Sequence, residues 1–340
     1  MLGAKNNPDL TSVSTTMVSG IDAIEVTGRG YRARIALVGA TLLDWRTVSS
    51  DGQEGESIVD GYRDIEELQS QNGVRNGILA PFSNRIEGGK IHLAGSAYQI
   101  SPVAAEETAV YHGFARVRPF KLHKLESDGE NVRAVFCLET SEGDVAGYPF
   151  SLRITVVYIF TATGVELQIA GTNLSQQSAP YAAGWHPYFQ LSGTTTIDDL
   201  FLQLPSKATV ATTDLLPRLG PDAKILIERN DAFVAPAQVG SRVMDCCFTD
   251  LVFDQAGIAR TILADLRSGM RLSVWQKGGH MHVFTGDTLA RDGRMSIALE
   301  PVEDLTNAFN LPGRIEKLLL KPGQTRPFRC GFTLESADLT

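Results

Sequence analysis

The 340-residue chain is 43% apolar and 21% charged, with a formal net charge of −8, ordinary values for a globular protein with a substantial core. The acidic balance and the lack of any Lys/Arg run disfavour nucleic acid as a partner and give no reason to expect a membrane surface, and no apolar stretch is long enough to span a bilayer. Cys137, Cys246, Cys247 and Cys330 form neither a disulfide framework nor a C-x-x-C pair, so reduced thiols and a cytoplasmic location are expected.

Residues 1–14 read as a disordered tail, and the polar, Ser/Thr-rich start from Met1 to Gly20 lacks the apolar segment of a signal peptide. Beyond it the dominant pattern is apolar–polar alternation with period two, the mark of half-buried strands. Strands are expected at 21–27 and 32–38, followed by the best helical window, a short one at 65–71 with a polar, acidic face. The pattern then predicts strands at 90–93, 97–100, 118–125, 132–139, 152–160 and 165–170. Ser127-Asp128-Gly129-Glu130 and Thr161-Ala162-Thr163-Gly164 supply the hairpin turns between these last four. Further strands are expected at 200–204, 261–265, 270–275, 281–285, 295–299 and 327–334. Many short strands, few short helices, no internal repeat and no linker predict one all-β domain over 15–340, a sandwich or barrel rather than a propeller. No G-x-G-x-x-G or P-loop motif follows a strand, so nucleotide-binding folds lack support.

Two residues stand out because each precedes a proline: His186 in Gly184-Trp185-His186-Pro187-Tyr188-Phe189, and Glu300 in Ile297-Ala298-Leu299-Glu300-Pro301. A residue before proline is pushed into extended geometry, so each side chain is presented from a restricted backbone. An imidazole and a carboxylate held in this way can act as general acid and base near neutral pH, provided they meet in space. An exposed strand-end glutamate and an inert core histidine are the bland alternatives. Ser296 and Ala298 share a strand face with Glu300, and small residues beside a carboxylate leave room for a ligand.

His112 is followed by Gly113, which permits close backbone approach or positive φ, as a simple turn would also require. The fork of Arg85, after Asn84, can bind hydroxyl oxygens or pair with a surface carboxylate. Asp245 lies amid apolar residues; if buried it needs donors, which sugar hydroxyls could supply, and a capping role is the alternative. His280 and His282 alternate on one strand face and could ligate zinc, but no third ligand lies nearby, and no metal site is expected. Adjacent Cys246 and Cys247 point to opposite faces if extended, and no G-x-S-x-G elbow is present.

In order and spacing, these segments resemble the aldose 1-epimerase (galactose mutarotase) family. The matching pieces are Pro81-Phe82-Ser83-Asn84-Arg85-Ile86, Tyr111-His112-Gly113-Phe114, the segment around His186, Met244-Asp245-Cys246-Cys247-Phe248 and Ala298-Leu299-Glu300-Pro301, then Asn307-Ala308-Phe309-Asn310 and Lys321-Pro322-Gly323. They run from about residue 20 to the C-terminus. The resemblance implies a large antiparallel β-sandwich, a supersandwich, with an open sugar cleft. It implies that Glu300 is the general base and His186 the general acid, that His112 and Arg85 contact the sugar with Asn84 beside them, and that Asp245 binds hydroxyls. The implied reaction is anomer exchange of a free aldohexose such as glucose or galactose, by a monomer or homodimer without metal or organic cofactor. A hexose-6-phosphate 1-epimerase and a non-catalytic carbohydrate-binding protein are the alternatives. A phosphate site would want extra cations, for which Arg75, Arg116 and Arg118 are available. The stretches 73–80 and 275–282 depart from the family's pattern, and both could shape the pocket.

Overall fold

The computed structural model describes residues 11–93, 95–104, 107–191 and 196–335. Two large antiparallel sheets and a smaller one carry the domain. The nine-stranded sheet begins at Lys121–Ser127 and runs in sequence order through Val132–Thr140, Leu152–Thr161 and Gly164–Asn173. It continues with Thr325–Glu335, then Met270–Lys277 and Ala259–Asp265. The alternation that predicts these strands is a burial pattern. In Leu152–Thr161 the residues Leu152, Ile154, Val156, Tyr158 and Phe160 are all fully buried, while Arg153 is exposed. Both predicted hairpins form, with Thr161 facing Gly164 and Ser127 facing Val132 across their turns. In the second of these Asp128 accepts from the backbone N–H groups of Glu130 and Asn131, so its side chain holds the turn.

The eight-stranded sheet includes Ala208–Val210, Asp245–Thr249, His280–Phe284, Ile297–Val302 and Gly184–Trp185 in neighbouring order. Tyr188–Phe189 pairs with the Ile297–Val302 strand off this path. A four-stranded sheet is built from Ser12–Val18, Ile21–Gly28, Tyr31–Ala36 and Leu42–Thr47. The core lies where the three meet. Phe332 of the nine-stranded sheet stacks on Trp185 at 6.3 Å and meets Phe189 and Trp45, from the other two sheets, edge-on. The architecture is therefore the expected all-β antiparallel supersandwich, with the helix expected at 65–71 observed at Ile65–Ser70.

Three expectations need correction. The expected tail 1–14 lies largely outside the described residues, but its end is ordered: Ser12, Val13 and Ser14 pair with Thr27, Val26 and Glu25. The strand predicted to stop at Leu299 continues through Pro301 to Val302. Proline removes one ladder donor, yet His280–Val302 and His282–Glu300 pair on either side of it. Trp275 does not shape the cleft; it lies on the outer face of the nine-stranded sheet against Gly331, and within 275–282 it is the His282 end that reaches the site.

Candidate active site

One face of the eight-stranded sheet carries the polar chemistry. Across three neighbouring strands, Cys247 pairs with His282 and His282 with Glu300, while Asp245 pairs with Phe284 and Phe284 with Ala298. Side chains alternate along each strand, so these residues share a face. Phe248, Met281, Val283 and Leu299 occupy the other face and are buried in the core. Ala298 and Ser296, expected to leave room for a ligand beside Glu300, are fully buried and do not line the cleft; Ser296 donates to Asp60 instead. Asp245 stands on a strand rather than in a turn, its side chain 40% exposed at the cleft.

His186 comes from the segment entering the sheet beside Glu300, and Asn76 holds that segment at three points and is itself anchored at a fourth. The Asn76 N–H donates to the His186 carbonyl at 2.9 Å, and its side-chain oxygen accepts from the Tyr188 N–H at 2.9 Å. The Asn76 carbonyl accepts from Trp185 Nε1 at 3.2 Å, and its side-chain nitrogen donates to the Asp60 carbonyl. Tyr188 then stacks on the His186 ring, centroids 5.1 Å apart, and donates its hydroxyl to the Gly73 carbonyl. The His186 ring is held by backbone and by an aromatic face.

His112 and Asn84 form a reciprocal pair, both in left-handed backbone conformation. The His112 N–H donates to the Asn84 carbonyl, and the Asn84 N–H donates to His112 Nδ1 at 3.1 Å. That second bond makes Nδ1 an acceptor, so Nε2 carries the proton of the neutral ring and is the donor available to a ligand. Gly113 is required here: its φ is +66°, and a Cβ would sit 2.1 Å from the Ala80 carbonyl oxygen. Arg85 lies over the Tyr111 ring at 5.5 Å, and its guanidinium has no ion-pair partner among the described residues.

These residues line one cleft of about 330 Å³, together with Ser70, Gln71, Asn72, Gly73 and Val74 on one rim and Thr288 and Leu289 on the other. At its floor His186 Nε2 is 3.3 Å from Glu300 Oε1. The second polar atom of each, His186 Nδ1 and Glu300 Oε2, is buried without a hydrogen-bond partner. Unpaired buried polar atoms are costly, so the pair is held in an unsatisfied state. Burial pushes the Glu300 carboxyl up to about 8; the nearby His282 pulls it down and Asp245 pushes it up. Burial pulls His186 down to about 3, and the charge of His282 acts in the same direction. The pair therefore holds one proton, resting on Glu300 in the free site. Burial, with His186 next, also holds His112 well below the usual imidazole range.

All six residues expected at the site, Glu300, His186, Arg85, His112, Asp245 and Asn84, line this cleft. What the sequence did not disclose is His282. Its Nε2 lies 2.7 Å from Asp245 Oδ1 and its Nδ1 lies 3.5 Å from Asn84 Nδ2. The alternating H-x-H pattern was a signal, but it reads as metal chemistry until the neighbouring strands are known. His282 faces the cleft, while His280 is influenced by Asp304 and Arg314 instead. Among the described residues no three His, Cys, Asp or Glu side chains gather to hold an ion. The stretch 73–80, expected to be able to shape the pocket, does so through Gly73 and Val74; the individual role of Asn76 and the part of Ser70, Gln71 and Asn72 were not disclosed, because they depend on distant partners.

A family model described as aldose 1-epimerase matches residues 22–333. An uncharacterized Escherichia coli protein, YihR, is 26% identical over 322 residues, covering 94% of this chain and 95% of its own. A galactose mutarotase-like protein from Clostridium acetobutylicum superposes with a TM-score of 0.78 at 16% identity, over 96% of this chain and 98% of its own. A galactose 1-epimerase from Lactobacillus acidophilus gives 0.75 at 15% identity, over 96% and 99%. At such identities these two likenesses concern the fold.

Proposed function

The chain belongs to the aldose 1-epimerase family, and on that premise we propose that it interconverts the α and β anomers of a free aldohexose by acid/base ring opening and closure. The observation that carries this reading is the His186–Glu300 contact at 3.3 Å on the cleft floor, with the outer polar atom of each left unpaired. Ring opening must take one proton from the C1 hydroxyl and give one to the ring oxygen. A pair that holds one proton between two groups meets that requirement. In the reacting complex the shared proton first passes from Glu300 to His186 across their contact; the Glu300 carboxylate then takes the C1 proton while the His186 imidazolium protonates the ring oxygen. The C1–O5 bond breaks, the aldehyde turns about C1–C2, and closure on the other face runs with the roles exchanged. Arg85, His112, through its Nε2–H, and Asp245 hold the other hydroxyls, and Asn84 orients His112.

The arginines that a phosphosugar would call on are committed elsewhere. Arg75 pairs with Asp60, Arg116 with Glu107 and Gln71, and Arg118 donates to the Asp144 carbonyl. Arg85 is left as the uncommitted guanidinium among the cleft-lining residues, which favours an unphosphorylated hexose.

The test is anomer exchange followed by NMR on freshly dissolved α-D-glucose and α-D-galactose with catalytic protein. Equilibration should accelerate, and Glu300→Gln and His186→Asn should each lower the rate roughly 10²- to 10⁴-fold. Acceleration that survives Glu300→Gln would refute the role of Glu300. Binding of either sugar without exchange would replace this reading with that of a carbohydrate-binding protein.

A further inference from the structure

Glu300 poses an electrostatic problem. It is 1% exposed, and among the described residues it has no Lys or Arg ion-pair partner. A carboxylate so buried cannot form at neutral pH unless a positive charge is placed nearby. Resting on the reading of Glu300 as a base, we propose that His282 is a positioning residue of this site: held by Asp245, it carries the counter-charge that lets Glu300 give up its proton.

The geometry singles out His282. It is paired directly with Glu300 across adjacent antiparallel strands, on the same face, which brings the two Cβ atoms within about 4.5–5.5 Å. The groups facing it are Glu300 on one side, Asp245 and Cys247 from the strand on the other, and His186, His112 and Arg85 from the walls of the cleft. His186 and His112 are held neutral, so neither supplies a charge. Arg85 lies over Tyr111 and acts on Asp245. His282 is thus the cation nearest the base in its own sheet.

The charge on His282 has its own support. Burial works against it, but the Glu300 carboxylate, once formed, and the 2.7 Å bond to Asp245, present whether or not Glu300 is ionised, raise the imidazole well above its usual range, with the Cys247 thiol as a further acceptor. The Asn84 amide, 3.5 Å from Nδ1, suits a neutral ring. A contact at that length is weak beside a charge-assisted bond at 2.7 Å, so the imidazolium form prevails. A neutral side chain at 282 could still hydrogen-bond a sugar, but it could not offset a buried carboxylate.

The experiment is the pH profile of anomer exchange in the wild type and in His282→Gln. An opposite charge at about 4–6 Å shifts a carboxyl by roughly one to three pH units. The acidic limb of the variant should therefore move alkaline by that amount, with the rate falling at neutral pH and recovering at high pH. A uniform loss at every pH, with the limb unmoved, would assign His282 a merely structural or binding role and overturn the proposal. A second readout needs no variant: long-range ¹H–¹⁵N correlation of the imidazoles in the wild type at neutral pH. Two protonated nitrogens on His282 support the proposal, and an unprotonated Nδ1 overturns it. If the wild type accelerates no aldose, the functional reading fails, and the nitrogen shifts still decide the charge on His282.

Discussion

Replacing Glu300 with glutamine keeps the shape of the side chain and removes a group whose ionisation the protein strongly opposes at the cleft floor, which makes the pH dependence of folding a direct measure of that opposition. Burial raises Glu300 from an ordinary 4.5 to about 8. The folded chain therefore holds this proton more tightly than the unfolded chain does. Below pH 4.5 both states are protonated and the contribution is fully present; it is lost as pH rises through about 8. At 1.36 kcal/mol for each tenfold change in proton affinity, the full loss is about 5 kcal/mol. At 1% exposure solvent screens little of it, and the pull of His282 is already contained in the value of about 8. Urea denaturation of wild type and Glu300→Gln from pH 5 to pH 9 reads this difference. The wild type should lose stability relative to the variant across that range, and the variant should be the more stable of the two at pH 9. Parallel curves would refute the reasoning, because they would mean that Glu300 ionises as readily in the fold as outside it.

Other consequences follow from the same site. Arg85→Ala should raise KM roughly tenfold to a hundredfold, the worth of hydrogen bonds from a charged donor, with kcat less affected; a change confined to kcat in steady-state exchange kinetics would contradict a binding role. Asn76→Gly keeps a left-handed backbone accessible but leaves the Tyr188 N–H without its acceptor. It should cost about 1–3 kcal/mol in denaturation and lower kcat more than it raises KM, since His186 loses its support. Gly113→Ala forces a Cβ to within 2.1 Å of the Ala80 carbonyl at positive φ. It should destabilise by about 2–5 kcal/mol and weaken sugar binding through His112, whereas an unchanged melting temperature would show that the turn relaxes freely.

The strands were legible because burial in a sandwich is one-sided. Alternation in Leu152–Thr161 or Met270–Lys277 is the sequence image of one wet and one dry face. The strand Leu42–Thr47 escaped because its first four residues, Asp44 among them, are all buried, which erases the alternation. His186 and Glu300 were legible from the prolines that follow them, a local effect, and the remaining named site residues from their place in family segments. His282 was left without a role because its meaning lies across the sheet, in Glu300 and Asp245, and register between distant strands is not written in any one of them. The stretch 73–80 was marked in the sequence, but not why it matters: Leu289 closes against Gly73, where an added Cβ would sit 2.6 Å from the leucine.

The strand Ile297–Val302 serves two masters, turning Leu299 to the core and Glu300 to the cleft. A single-residue insertion or deletion within it would exchange the two, burying a carboxylate in the hydrophobic interior and putting a leucine where the proton is moved. The strand is therefore a place where change in length is barred. A library meant to alter which sugar enters belongs at Asn72 and Thr288, exposed cleft-lining positions where the chain has left the sheets.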